Sequence, residues 1–149
     1  MRVSSSIDLP CTIDEAWTVL TSWERQADWI ADADRVDVLG DATAGVGVRL
    51  AVHTRLFQVP AFTETIEVVG WDPPHRLDIV HGRPVAGRGV WALEPVAGGT
   101  RFTWTEEAVL EIPLVGSAAA LAYAPIAKRL MRRSQRALRL IVARPPRRG

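Results

Sequence analysis

From Arg35 to Leu110 the chain alternates apolar and polar residues with period two, and no part of that stretch carries a helical repeat. Six segments hold the pattern: Arg35–Leu39, Val46–Phe57, Ala61–Trp71, Arg76–His81, Arg88–Pro95 and Thr100–Leu110. The breaks between them are turn chemistry: Gly40 to Gly45, a kink at Pro60, Asp72-Pro-Pro74, Gly82-Arg-Pro84 and Ala97-Gly-Gly99. Connections this short make successive strands antiparallel neighbours, whereas a parallel sheet needs a helical crossover of a dozen residues or more. The stretch is predicted to be a six-stranded meander.

Helices flank it. Arg2–Leu9 reads as a first strand closed by Pro10. Thr12 with Glu15 three residues on has the form of a capping box, opening a short helix whose apolar face is Ala16, Trp17 and Leu20. Ser22 is placed to cap a second short helix carrying Trp23 and Trp29. After Ile112-Pro113 the chain turns helical as far as Arg144, with a kink or restart expected near Ala124 because Pro125 follows. On a helical projection Ile126, Ala127, Leu130, Met131, Ala137, Leu138, Ile141 and Val142 share one half. Lys128, Arg129, Arg132, Arg133, Arg136 and Arg139 share the other. Residues 145–149 read as a frayed tail.

With 149 residues, 48% of them apolar, the whole chain (1–149) makes one domain with a genuine core. The single cysteine, Cys11, excludes an internal disulfide and a four-cysteine zinc site. There is no run of 18 apolar residues and no apolar stretch behind Met1-Arg-Val-Ser-Ser-Ser, which points to a cytoplasmic protein. The net charge of +1 hides an asymmetry. Nine of the 18 basic residues lie from Lys128 onward, where no acid occurs, so the first 127 residues carry −8 and the remainder +9. The basic stripe is the solvated side of a helix whose other face is committed to the sheet, and the acidic body opposes a polyanion; nucleic acid is not an expected partner. A transient contact with an anionic membrane surface is compatible with that charge dipole.

Strand, helix pair, meander and long amphipathic helix is the order of the helix-grip fold, an α+β architecture. In it a curved seven-stranded antiparallel sheet wraps round a C-terminal helix, with two short helices after the first strand. At residue level the chain resembles the START/Bet v 1-like (SRPBCC) superfamily, in its polyketide cyclase/dehydrase and lipid-transport group. The resemblance rests on Ile13-Asp-Glu-Ala-Trp17 with Trp29 downstream and on Val69-Gly-Trp-Asp-Pro-Pro-His-Arg-Leu77. It also rests on Trp91-Ala-Leu-Glu-Pro95 followed by Gly99-Thr-Arg-Phe-Thr-Trp104, and on the final helix. It spans essentially the whole chain and implies a ligand pocket between sheet and helix, but those motifs name no substrate.

Alternation says which side chains face that pocket. The apolar rows Val48, Leu50, Val52, Leu56; Phe62, Ile66, Val68; Leu77, Ile79; Trp91, Leu93; and Phe102, Trp104 must face inward, and the same parity carries Thr54, Glu64, His81 and Glu106 with them. Folding 61–71 onto 76–81 brings Glu64 and His81 to about 5 Å at Cβ. That is either a general acid/base pair or a structural pair at the pocket mouth. Glu106 either recognises a ligand hydroxyl or amine or marks the strand's exit to solvent, and Arg49, Arg55 or Arg88 reaches it only through a bulge or the rim. Ser134, in the middle of the apolar half of the last helix, contacts ligand or bonds back to the carbonyl four residues earlier. Trp91 and Trp104 form flat walls for an aromatic ligand, or simply core. Leu50, Phe62 and Ile79 complete the lining.

Other chemistries lack their residues. Gly45-Val-Gly47 has neither the third glycine nor the following helix of a dinucleotide loop. His53 faces outward and the spacing of His53, His75 and His81 makes no metal site; no cofactor is expected. Cys11, with no histidine nearby in sequence, reads as a small buried residue. Besides a partner-binding or stress-related role carried by the surface, two functions would use the cavity. One is a binding protein, monomer or homodimer, for a hydrophobic or aromatic molecule such as a lipid, quinone or polyketide-like compound. The other, implied by the resemblance for part of the group, is a cofactor-independent aromatase/cyclase- or dehydratase-like enzyme using Glu64, His81 or Glu106.

Overall fold

The computed structural model describes residues 1–83, 85–110 and 116–144. Its elements are β1 (Arg2–Leu9), α1 (Ile13–Leu20), a 3₁₀ helix (Trp23–Asp28), β2 (Ala33–Leu39), β3 (Arg49–Leu56), β4 (Val59–Asp72), β5 (Arg76–His81), β6 (Val85–Val96), β7 (Gly99–Leu110) and α2 (Gly116–Val142). The strands form one antiparallel sheet in the order β1-β7-β6-β5-β4-β3-β2. β2 to β7 run as a meander and β1 closes on the edge of β7, where Ser4 and Ser6 bond Thr105 and Thr103 through their hydroxyls. α2 packs on β1 and β7. This is the helix-grip fold.

α1 starts as its sequence requires: the Thr12 hydroxyl accepts from the Glu15 N–H while the Glu15 carboxylate accepts from the Thr12 N–H. Ser22 does not cap the second helix; its hydroxyl donates back to the Thr18 carbonyl, and the segment is a 3₁₀ helix. On α2, Met131, Ser134, Gln135 and Leu138 are buried at helical spacing, and the five arginines of the stripe are exposed. The helix runs through Pro125 without a restart, and Pro125 and Ile126 lie on its exposed side, so Ile126 is not part of the buried half. The expected frayed tail at 145–149 lies outside the described residues.

Two strand boundaries and one strand's parity differ for local reasons. β3 begins at Arg49, not Val46, because Gly45 and Gly47 both take positive φ and Val46 is exposed. The β3–β4 turn is Phe57-Gln58, two residues at φ 50° and 67°, so Pro60 lies inside β4 at a bulge opposite Arg55 and makes no break. A second bulge between Val68 and Gly70 switches the parity of β4, so Trp71, opposite Leu77, turns to the core and packs edge-on to Trp17 at 5.1 Å.

Candidate functional site

The inward rows run across the sheet as ladders. Leu50, Ile66, His81, Gly87 and Ala108 stand opposite one another in turn, then Val68, Ile79, Gly89, Glu106 and Val3, then Leu77, Trp91 and Trp104. Between these rows and α2 lies a cavity of about 170 Å³. Its aliphatic and aromatic lining includes Leu50, Phe62, Ile79, Trp91 and Trp104; its polar lining includes Thr54, Glu64, His81, Glu106 and Ser134. All ten residues singled out from the sequence therefore meet in one place. An apolar cavity of about 150 Å³ admits a benzene ring, so a space of this size suits a single ring or a short chain.

His81 is the centre of the polar end. Its Nδ1 lies 3.2 Å from Glu64 Oε2 and its Nε2 2.8 Å from Glu106 Oε2, while the Trp104 indole N–H donates to Glu106 Oε1 at 2.7 Å. His81 sits opposite Ile66, so Glu64 reaches it diagonally, and Glu106 is a second partner that strand neighbourhood does not offer. β5 and β7 are separated by β6. The two side chains meet across β6 because its inward positions there are Gly87 and Gly89. A Cβ on Gly89 would lie 2.8 Å from Glu106 Oε1 and 2.8 Å from Ile79 Cγ1; a Cβ on Gly87 would strike the Glu107 carbonyl. No arginine pairs with Glu106 among the described residues, and Arg55 instead reaches Asp34 on the surface.

Burial opposes charge on the imidazole, but its hydrogen bonds to Glu106 and Glu64 and their charges override that and push His81 up to about 10. It is an imidazolium at neutral pH. Two further groups at this end were not legible as site residues. Asp32, between the 3₁₀ helix and β2, lines the cavity; burial raises its carboxyl, its own backbone N–H opposes that, and Glu64 and Glu106 add to the rise while His81 counters it. Tyr123 of α2 also lines it, its phenol pushed up by burial and by the charges of Asp32 and Glu64. Neither belongs to a strand whose parity could point to it.

Three of the lining residues, Ser134, Trp91 and Trp104, also hold the framework together. The Ser134 hydroxyl donates to the Leu130 carbonyl at 2.8 Å and accepts from the Ala31 N–H at 2.8 Å, clamping the segment before β2 to α2. Trp91 and Trp104 are 5.7 Å apart at an interplanar angle of 76°, and Trp29 packs on both at 5.5 and 6.0 Å, so no slot exists between the two rings for a ligand to enter. Each can still offer a surface to the cavity. The Trp91 indole N–H is buried without a partner. His53 lies on the outer face with Asp37 and Thr63, and Cys11 is buried and free. Among the described residues no group of three or more His, Cys, Asp or Glu is arranged to hold a metal ion, and no helix is long and apolar enough to cross a membrane.

The fold is shared widely. TTHA0849 from Thermus thermophilus superposes with a TM-score of 0.79 over 95% of this chain and 97% of its own, at 16% identity. The START superfamily protein from Mycobacterium smegmatis gives 0.69 over 95% and 96%, at 11% identity. The di-domain ARO/CYC BexL of the BE-7585A biosynthetic pathway gives 0.76 at 14% identity over 98% of this chain, which spans 51% of BexL. No curated protein matches in sequence. The family model described as "Polyketide cyclase / dehydrase and lipid transport" matches residues 1–143, and the chain, carrying that family's fold and its cavity between sheet and helix, belongs to it.

Proposed function

We propose that the protein binds a small hydrophobic or aromatic molecule in the cavity between sheet and α2. The observation that carries this is a mostly apolar cavity of about 170 Å³ ending in one charged cluster, Glu64–His81–Glu106. Apolar walls with a few convergent polar groups are the general form of a small-molecule site. Both imidazole nitrogens are held by carboxylates, which gives the cluster a fixed geometry suited to orienting a ligand. Thermal-shift and native mass spectrometry against lipids, quinones and aromatic compounds test it. A true ligand at a hundredfold excess over Kd adds about 2.7 kcal/mol, or roughly 5–10 °C for a chain this long. It also changes tryptophan emission, since Trp91 and Trp104 line the space. No shift and no mass adduct in any class overturns the reading.

A second reading, an aromatase/cyclase- or dehydratase-like enzyme, is favoured by Asp32. A histidine that stays protonated up to about 10 is a poor base at neutral pH and a weak acid, so this reading does not rest on Glu64–His81 as the acid/base pair. Asp32, its carboxyl raised by burial and lining the cavity, is the proton carrier in this reading. In a cyclisation assay on a β-ketothioester, Asp32→Asn should abolish turnover and preserve binding; unchanged turnover removes Asp32 from that role.

A further inference from the structure

Positive charge is gathered on one helix and left without counter-charge. Lys128, Arg129, Arg132, Arg133, Arg136 and Arg139 fall within twelve residues of α2, and no acid follows Glu111 in the chain. Five arginines of the sheet are matched: Arg2 with Glu107, Arg35 with Asp37, Arg55 with Asp34, Arg76 with Asp78 and Arg101 with Asp8, at 2.9–3.4 Å. Among the described residues, none of the six on α2 has an ion pair or a side-chain hydrogen bond. Like charges three and four positions apart, as at Arg129, Arg132, Arg133 and Arg136, destabilise a helix slightly, and a mixed-charge surface would serve solubility without that cost. The concentration calls for an anion outside the chain.

Apolar residues on the same face select the anion. Leu121, Pro125, Arg129, Arg132, Arg136 and Leu140 are all exposed and follow one another at spacings of four, four, three, four and four, one stripe running about 29 Å along the helix. Leu121 is 78% exposed and Ile126, beside the stripe, 44%, while the opposite face, with Met131, Ser134 and Leu138, is buried against the rest of the protein. A nucleic acid would satisfy the arginines and leave the leucines in water. A bilayer surface holds phosphates over hydrocarbon and satisfies both, and clusters of about four to eight Lys/Arg on an amphipathic helix have this use. Leu121 and Ile126 also adjoin Tyr123 and Ala127, which line the cavity. On the sheet side, the β3–β4 turn exposes Phe57 and Val59 just beyond the cavity-lining pair Thr54 and Phe62.

We propose that α2 docks on an anionic bilayer, with Arg129, Arg132, Arg133 and Arg136 on lipid phosphates and Leu121 and Ile126 entering the interface beside the cavity. The docking does not depend on what the cavity holds. The test is flotation of the full chain with vesicles of phosphatidylcholine alone, and of phosphatidylcholine with about 30% phosphatidylglycerol, at about 50 and about 300 mM salt. The chain should bind the anionic vesicles about tenfold or more tighter than the neutral ones, and the difference should shrink at the higher salt. At about fivefold per basic residue, Arg132→Glu combined with Arg136→Glu should cut anionic-vesicle binding by about 25-fold or more, whereas Arg2→Glu on the sheet should leave it within about threefold. Leu121→Ser should weaken binding several-fold at both salt concentrations. These side chains are all exposed, and unchanged tryptophan emission checks that each variant folds. Equal binding to both vesicles, no binding to either, or wild-type binding by the double arginine variant or by Leu121→Ser overturns the proposal. So does a random-sequence DNA duplex bound as tightly as the anionic vesicles at the same salt.

Discussion

The buried His81 makes folding stability fall as pH rises above neutrality. Its ordinary value is 6.5 and in the folded chain it is about 10, a difference worth roughly 5 kcal/mol at about 1.4 kcal/mol per pH unit. Because the folded value is the higher one, the contribution is complete below pH 6.5, declines as the unfolded chain releases its proton while the folded one keeps it, and is gone above pH 10. Between pH 6.5 and 8.5 the loss should be about 2 kcal/mol. The other raised groups act elsewhere. Asp32, raised from 3.8, weighs on the acid side; Cys11 and Tyr123, raised from 9.0 and 10.0, act above the upper limit. Urea unfolding followed by tryptophan fluorescence at pH 6.5, 7.5 and 8.5 gives the slope, and His81→Gln subtracts every group but this one. His81→Gln should itself be destabilised by roughly 3–5 kcal/mol at pH 6.5, because it leaves Glu64 and Glu106 facing each other without a cation, and its deficit against wild type should shrink as pH rises. A wild-type stability that is flat over this range, or a variant with the same slope, refutes the assignment of His81 as a buried imidazolium.

Gly89→Val should destabilise by about 1–3 kcal/mol and flatten the same pH slope, because its side chain occupies the place where Glu106 meets His81; urea titrations at pH 6.5 and 8.5 report both effects. Trp91→Phe should cost less than Trp104→Phe in a urea titration. The first removes an indole N–H that has no partner, whereas the second strips Glu106 of a donor, a difference of about 1–2 kcal/mol. Thr12→Ala should lower stability by about 1 kcal/mol in the same assay through loss of the capping box, with ligand response unchanged, since the residue is exposed and remote from the cavity lining.

Alternation was informative wherever a strand stayed regular, and that covers most of the cavity. Thr54, Glu64, His81 and Glu106 stand on the same side as Leu50, Ile79 and Trp91 because a period of two admits no other placement. A bulge ends its reach, and at Gly70 one does: Trp71 turns inward, next to a glycine whose Cβ would strike the Asp78 carboxylate. The Phe57-Gln58 turn was invisible for a different reason. Both residues take positive φ without being glycine or asparagine, so no turn signal marks them, and Pro60 drew the break two residues too late.

The larger gap lies in contacts that no local pattern encodes. Asp32 and Tyr123 reach the cavity from a connecting segment and from the helix that closes it, and only the assembled fold sets them beside Glu64. The bond from His81 to Glu106 spans a whole intervening strand, which neighbour-by-neighbour pairing forbids. Yet the exception was written in the chain, as Gly87 and Gly89 at two successive inward positions of β6. Glycine weakens a strand interior, so two of them on one face indicate that something else needs the room. Here the occupant is a second carboxylate, and it converts a pair that could exchange protons into a locked cation between two anions. The same two glycines therefore shape the site: by admitting Glu106 they hold both imidazole nitrogens of His81 on carboxylates and fix the polar end of the cavity.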